Sequence, residues 1–174
     1  MQDDIEIRIS RPGDRAALQR LYPAAFPDED LLPVVDELLK DEPNVLSLVA
    51  TREENVIGHI AFTRCTVGGF PSALSLLAPL AVAPECQRQG IGTALIHEGM
   101  RRRRDEGAVR IYVLGDPAYY GRFGFQPESD VQPPYPLPED WQGAWQSLGL
   151  QDGEAGPAGV LSVTSPWRKP ELWA

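Results

Sequence analysis

A chain of 174 residues, 43% hydrophobic and 24% charged, is long enough to bury a core and has the composition of an ordinary globular protein rather than a disordered one. Its formal charge of -9 argues against a nucleic-acid partner, which needs a basic face, and mildly favours cationic substrates. No apolar run approaches the ~20 residues that cross a bilayer, two cysteines and two histidines are poor material for a disulfide framework or a zinc site, and Met1–Ser10 starts acidic with no apolar centre, so we expect no membrane partner, no metal and a cytoplasmic location.

Ile5–Ile9 (IEIRI) alternates apolar and charged residues as a half-buried strand does. Ser10, Pro12 and Asp14 supply turn and cap chemistry ahead of a helix over Arg15–Tyr22. A second helix is expected over Glu29–Leu39, with Pro33 in its first turn or at a kink. Val45–Thr51 and Val56–Val67 read as a hairpin about Arg52–Asn55. Ala73–Val82 (ALSLLAPLAV) is the most apolar stretch, yet Pro79 has no N–H to give a ladder. A bulge, or a place where neighbouring strands separate, is therefore expected there instead of a regular central strand.

After Pro84 the period changes. Gly90–Glu106 carries the i, i+4 rows Ile91/Leu95/Gly99 and Gly92/Ile96/Met100 on one helical face, with Glu98, Arg101, Arg102 and Asp105 on the other. Gly107 is placed to end that helix, Val109–Leu114 reads as the next strand, and a short helix is expected over Ala118–Arg122. Residues 126–140 (QPESDVQPPYPLPED) form a proline- and acid-rich loop within a single domain, 1–174, before a final pair of strands over Ala144–Leu150 and Gly159–Thr164. The strand, helix and strand from Ala73 to Leu114 predict two parallel neighbours crossed by a helix. Such a unit puts the start of its helix at a strand's carboxyl end, where ligands bind.

That start is Gln87-Arg88-Gln89-Gly90-Ile91-Gly92-Thr93. Backbone N–H groups there lack intrahelical partners, and with the helix dipole they suit a phosphate or pyrophosphate. Gly90 and Gly92 let oxygens approach the main chain, Arg88 can add charge and Gln87 a neutral donor. The bland alternative is a tight turn and close helix packing. Two other phosphate loops fail on residues: no lysine follows these glycines, and the position three after Gly92 is Leu95.

The pattern V-x-P-x-x-Q-x-x-G-x-G, here Val82, Pro84, Gln87, Gly90 and Gly92, resembles the acyl-CoA pyrophosphate loop of the GNAT N-acetyltransferase superfamily. Downstream, Tyr119-Tyr120-Gly121-Arg122-Phe123-Gly124-Phe125 is similar to the aromatic segment that family carries after its fifth strand. The resemblance extends from Ile5 to Phe125 and implies an α+β fold, a GNAT-like mixed, splayed central sheet of about seven strands flanked by about four helices. It further implies acetyl-CoA as acyl donor, its pantetheine arm held by the main chain of Leu80, Ala81 and Val82 and its pyrophosphate by Gln87, Arg88, Gln89, Gly90, Ile91, Gly92 and Thr93. An N–H near Leu80 would polarise the thioester carbonyl. Tyr120 would be the general acid toward the sulfur, with aromatic packing as its alternative role.

No base is assigned: Glu85, Asp116 and His59 are candidates, against plainer readings as a surface charge, a cap and a strand residue. Arg101–Arg104 reads as a solvated helix face, Cys86 as a weaker nucleophile candidate, and Tyr135, Trp141, Trp145 and Trp167 as core cover. The function expected is N-acetyl transfer to a small-molecule or peptide amine by direct attack on the thioester; the alternative is a non-catalytic acyl-CoA- or partner-binding module of the same fold. A homodimer is left open.

Overall fold

The computed structural model describes residues 4–153 and 155–174. Among them are four α-helices and nine strands, two strands more than expected. The chain forms two compact units: residues up to Phe62 with Pro79–Arg101, and Thr63–Ala78 with Arg102–Ala174.

In the first unit, β1 (Ile5–Ile9) lies antiparallel to β2 (Val45–Arg52), with Ile5 opposite Arg52 and Ile9 opposite Leu48. Helix α1 runs from Arg15 to Ala25, past the expected end at Tyr22, with Pro23 in its last turn. A proline so close to the end removes only one late hydrogen bond, and the helix closes on Phe26 N–H donating to Tyr22 O at 2.8 Å. Helix α2 starts at Leu32, three residues later than expected, and ends at Lys40; Pro33 sits in its first turn, where a missing N–H costs nothing. Strand β3 (Asn55–Val67), whose residues to Phe62 belong to this unit, returns from β2 through Glu53 and Glu54, both at positive φ (50° and 67°), the pattern of a type I′ turn.

Helix α3 (Ile91–Asp105) buries its first predicted row completely: Ile91 is 2% exposed, Leu95 is fully buried, and Gly99 lies against Phe62. Of the second row, Ile96 is fully buried while Gly92 and Met100 are half-buried.

In the second unit, the first half of β4 (Ala73–Val82) pairs in parallel with β5 (Ala108–Leu114), from Ala73–Ala108 to Leu77–Val113. Of the two alternatives expected at Pro79, the separation of neighbouring strands is the one seen: β4 continues as one strand through Pro79 while the ladder to β5 runs only to Leu77, and the bulge falls instead between Ala73 and Leu74. The missing donor therefore falls beyond the ladder to β5.

Strand β5 also pairs antiparallel with β8 (Trp145–Gly149), and the end of β3 with β9 (Gly159–Ser162). The two closing strands are present, and each joins an earlier strand. The proline-rich stretch carries two short strands, β6 (Gln126–Pro127) against β8 and β7 (Val131–Gln132) beside β9. Trp145, Trp167 and Trp173 are buried, ring against ring at 5.9 and 6.5 Å, each indole N–H donating to a protein oxygen. They cover core, as expected of the first two, whereas Trp141 is exposed. No helix among the described residues is long and apolar enough to cross a membrane.

Candidate active site

The bend between β4 and α3 lies wholly in the first unit. After a short turn over Pro84–Cys86, Gln87 is extended, Arg88 takes φ 63° and Gly90 φ 85°. Left-handed residues in a turn can aim successive amides to one side, the arrangement that makes an anion-binding concavity. At Gly90 conformation, not space, requires glycine, since a Cβ there would meet nothing within 4 Å. The α3 ladder begins with Ala94 N–H donating to Gly90 O at 3.0 Å. The amides of Ile91, Gly92 and Thr93 therefore precede the first helical donor and are oriented for an anion. Gln87, Arg88, Gln89 and Gly90 are exposed, so the bend is open to solvent.

Two predicted donors do other work here. Gln87 Nε2 donates to Val82 O at 3.1 Å, and Gln89 Nε2 to Glu85 O at 3.3 Å. Both amide side chains brace the bend against preceding chain, leaving Arg88 as its exposed cation. Gln87 also ties the bend to the Leu80–Val82 segment, where only Ala81 is buried; Leu80 and Val82 are half-buried, more open than core side chains. Arg52 at the end of β2 reaches the bend too, its Nη2 donating to Gln89 Oε1 at 3.0 Å. Sequence reasoning missed it.

Tyr120 belongs to the second unit, at the end of α4 (Pro117–Tyr120). That helix is short but well capped: Asp116 Oδ1 accepts from Ala118 N–H at 2.9 Å, the cap role anticipated as its plainer reading. Three features fix the Tyr120 ring. Phe125 and Tyr119 meet it edge-on at centroid distances of 5.7 and 5.0 Å, and Gly115 leaves the space it occupies, since a Cβ there would fall 2.4 Å from Tyr120 Cε2. Gly115 is itself held, its N–H donating to Ala144 O at 2.9 Å and its O accepting from Gln146 Nε2 at 3.0 Å. Burial, aided by Tyr119, pushes the Tyr120 phenol well above its ordinary value, so it keeps its proton at neutral pH and stays a donor. Tyr119 instead carries the Arg122 guanidinium over its ring at 4.8 Å.

The proton-acceptor candidates fall into plainer roles. Glu85 is exposed on the short turn. His59 is fully buried between Tyr22 OH (Nδ1, 2.5 Å) and Ser47 Oγ (Nε2, 2.8 Å), and desolvation lowers its pKa to about 4. It is a neutral core residue. Cys86 is buried, with Arg52 Nη1 at 3.9 Å from its sulfur. In the arginine run, Arg101 grips Glu98 through two bonds (2.8 and 3.0 Å), while Arg103, contrary to a wholly solvated face, is buried and paired with Glu106 at 2.7 Å. Among the described residues no group of three or more His, Cys, Asp or Glu gathers as metal ligands would.

Residues 15–125 match the Acetyltransferase (GNAT) family. The chain is 38% identical over 152 residues to the N-acetyltransferase YjhQ of Escherichia coli (strain K12), covering 82% of this chain and 84% of that protein. It is 37% identical over 123 residues to the N-acetyltransferase YhbS of the same strain, covering 70% and 71%. The crystal structure of YhbS in complex with CoA aligns with a TM-score of 0.87 at 29% identity, over 97% of this chain and 94% of that one. A GNAT acetyltransferase from Brucella melitensis in complex with acetyl-CoA aligns with a TM-score of 0.77 at 32% identity, over 95% and 99%. With a family match across most of its length and the fold those relatives share, this chain belongs to the GNAT family of acetyltransferases.

Proposed function

We propose that this protein transfers the acetyl group of acetyl-CoA to a primary amine of a small molecule or peptide. The main-chain amides of Gln87–Thr93 hold the donor's pyrophosphate, the main chain of Leu80–Val82 holds its pantetheine arm, and Tyr120 serves the departing sulfur. The relatives solved with CoA and acetyl-CoA support the donor. The observation that carries the reading is the bend itself: left-handed Arg88 and Gly90 followed by helix-start amides with no ladder partner.

Acetyl-CoA supplies the activated acyl group. The unprotonated amine attacks its carbonyl carbon, the C–N bond forms as the C–S bond breaks, the amine's surplus proton passes to water, and the thiolate takes the phenolic proton of Tyr120, which solvent replaces. Burial keeps the Tyr120 phenol protonated but weakens it as an acid, so it serves the departing sulfur first as a hydrogen-bond donor.

The test is a panel of primary amines (polyamines, aminoglycosides, amino acids, peptide N-termini) incubated with the protein and acetyl-CoA, read by a thiol reagent and by mass spectrometry. Thiol release with an acetylated amine is the expected result. Binding of CoA without thiol release across the panel would replace transfer by a binding role.

A further inference from the structure

We infer that Arg52, far from the bend in sequence, is a positioning residue for the donor's pyrophosphate: it locks the strained residue Arg88 so that the neighbouring amides stay aimed at the anion. The inference rests on the proposed placement of pyrophosphate at Gln87–Thr93.

A left-handed arginine is disfavoured by about 1–2 kcal/mol, so the bend holds its shape only if something beyond Arg88 fixes it. Gln87 and Gln89 brace their own stretch of chain, each bonding a carbonyl four or five residues back. The Gln87 bond stops short of Arg88, and the Gln89 bond spans it only from within the bend. Arg52 spans it from another strand: its Nη1 lies at 3.9 Å from Cys86 Sγ, two residues before Arg88, and its Nη2 donates to Gln89 Oε1 at 3.0 Å, one residue after.

One planar guanidinium thus clamps both flanks of the residue at φ 63°. Cys86 gives that clamp a buried footing, and Arg52 comes from the end of β2, whose residues Leu48–Arg52 pair with β1. The bond to Gln89 is charge-assisted and so among the stronger of its kind. A lysine here would keep the charge, but its compact ammonium lacks the fork that reaches two groups on opposite sides of Arg88.

The experiment compares acetyl-CoA with S-acetylpantetheine, which keeps the thioester arm and lacks the pyrophosphate, by NMR titration of wild type, Arg52→Met and Arg52→Lys. Wild type is expected to bind acetyl-CoA far more tightly than the truncated donor. In Arg52→Met the Kd for acetyl-CoA is expected to rise about tenfold and that for S-acetylpantetheine to change less than twofold, with Arg52→Lys recovering less than half of the loss.

A proportional loss for both donors would make Arg52 a general support of the fold. Full recovery by lysine would make it a plain charge; either result overturns the inference. Equal binding of the two donors by wild type would instead refute the pyrophosphate placement itself. Should Arg52→Met fail to fold, Gln89→Met removes the acceptor from the other side and is expected to show the same donor-selective loss; a proportional loss, or none, overturns the inference equally.

Discussion

The Tyr120 ring stands where a side chain on residue 115 would, and that exclusion makes a glycine with no unusual φ indispensable. Alanine is acceptable to the backbone there, so its whole effect falls on the ring it would strike at 2.4 Å. Removing a general acid costs about 10²–10⁴ in rate. We expect Tyr120→Phe to lower turnover within that range with acetyl-CoA affinity nearly unchanged. Gly115→Ala should lower turnover by displacing the same ring, and the double variant should be no slower than Tyr120→Phe alone, because the two changes act on one group. Steady-state kinetics on the amine found by the panel checks this; additive losses would separate Gly115 from Tyr120. Sequence shows Tyr120 because its neighbours form a contiguous pattern. It cannot show Gly115 or Arg52, whose partners are chosen by tertiary contact: Arg52 is 37 residues from Gln89. The burial of His59 is hidden likewise, since a histidine in an alternating strand can face either way.

At the scale of elements, two close approaches give opposite expectations for adding and removing a side chain. The β2–β3 turn places Glu53 and Glu54 at φ 50° and 67°, a conformation that L-residues with a Cβ resist and Asn-Gly accepts. Replacing the pair by Asn-Gly is expected to stabilise the protein by about 1 kcal/mol, read as a rise in Tm. In α3, Gly99→Ala gains about 1 kcal/mol of helix propensity, but its Cβ would fall 1.9 Å from Phe62 Cε2. The buried clash wins; we expect a net loss of about 1–3 kcal/mol in urea unfolding. The rows that put Gly99 on the buried face are plain in the sequence because helical period and burial agree over fifteen residues. The two-residue strands β6 and β7 are not, since partners rather than pattern create them. The run of α1 past Pro23 is hidden for a related reason: a proline's cost depends on how near the helix end it falls, which the periodicity does not mark.

For the whole molecule, the buried histidine sets a pH dependence. His59 titrates near 4 when folded instead of 6.5, so between those values the unfolded chain binds a proton that the folded one refuses. Stability is complete above about pH 6.5 and falls as pH drops toward 4, by about 3 kcal/mol in all. Asp14 adds to this at lower pH: bonds from Arg8 hold its carboxyl below the ordinary range, so its contribution is present above the ordinary carboxylate pKa and is lost below it. Urea unfolding at stepped pH should show that His59→Gln, whatever its stability at pH 7, lacks the proton uptake between pH 6.5 and 4 that wild type shows; an unchanged slope would assign that uptake elsewhere. Whether the bend grips the diphosphate is read from a titration of ¹⁵N-labelled protein with CoA followed by amide shifts. The largest displacements are expected on the amides of Arg88 to Thr93; CoA binding that leaves those amides unshifted would place the diphosphate elsewhere.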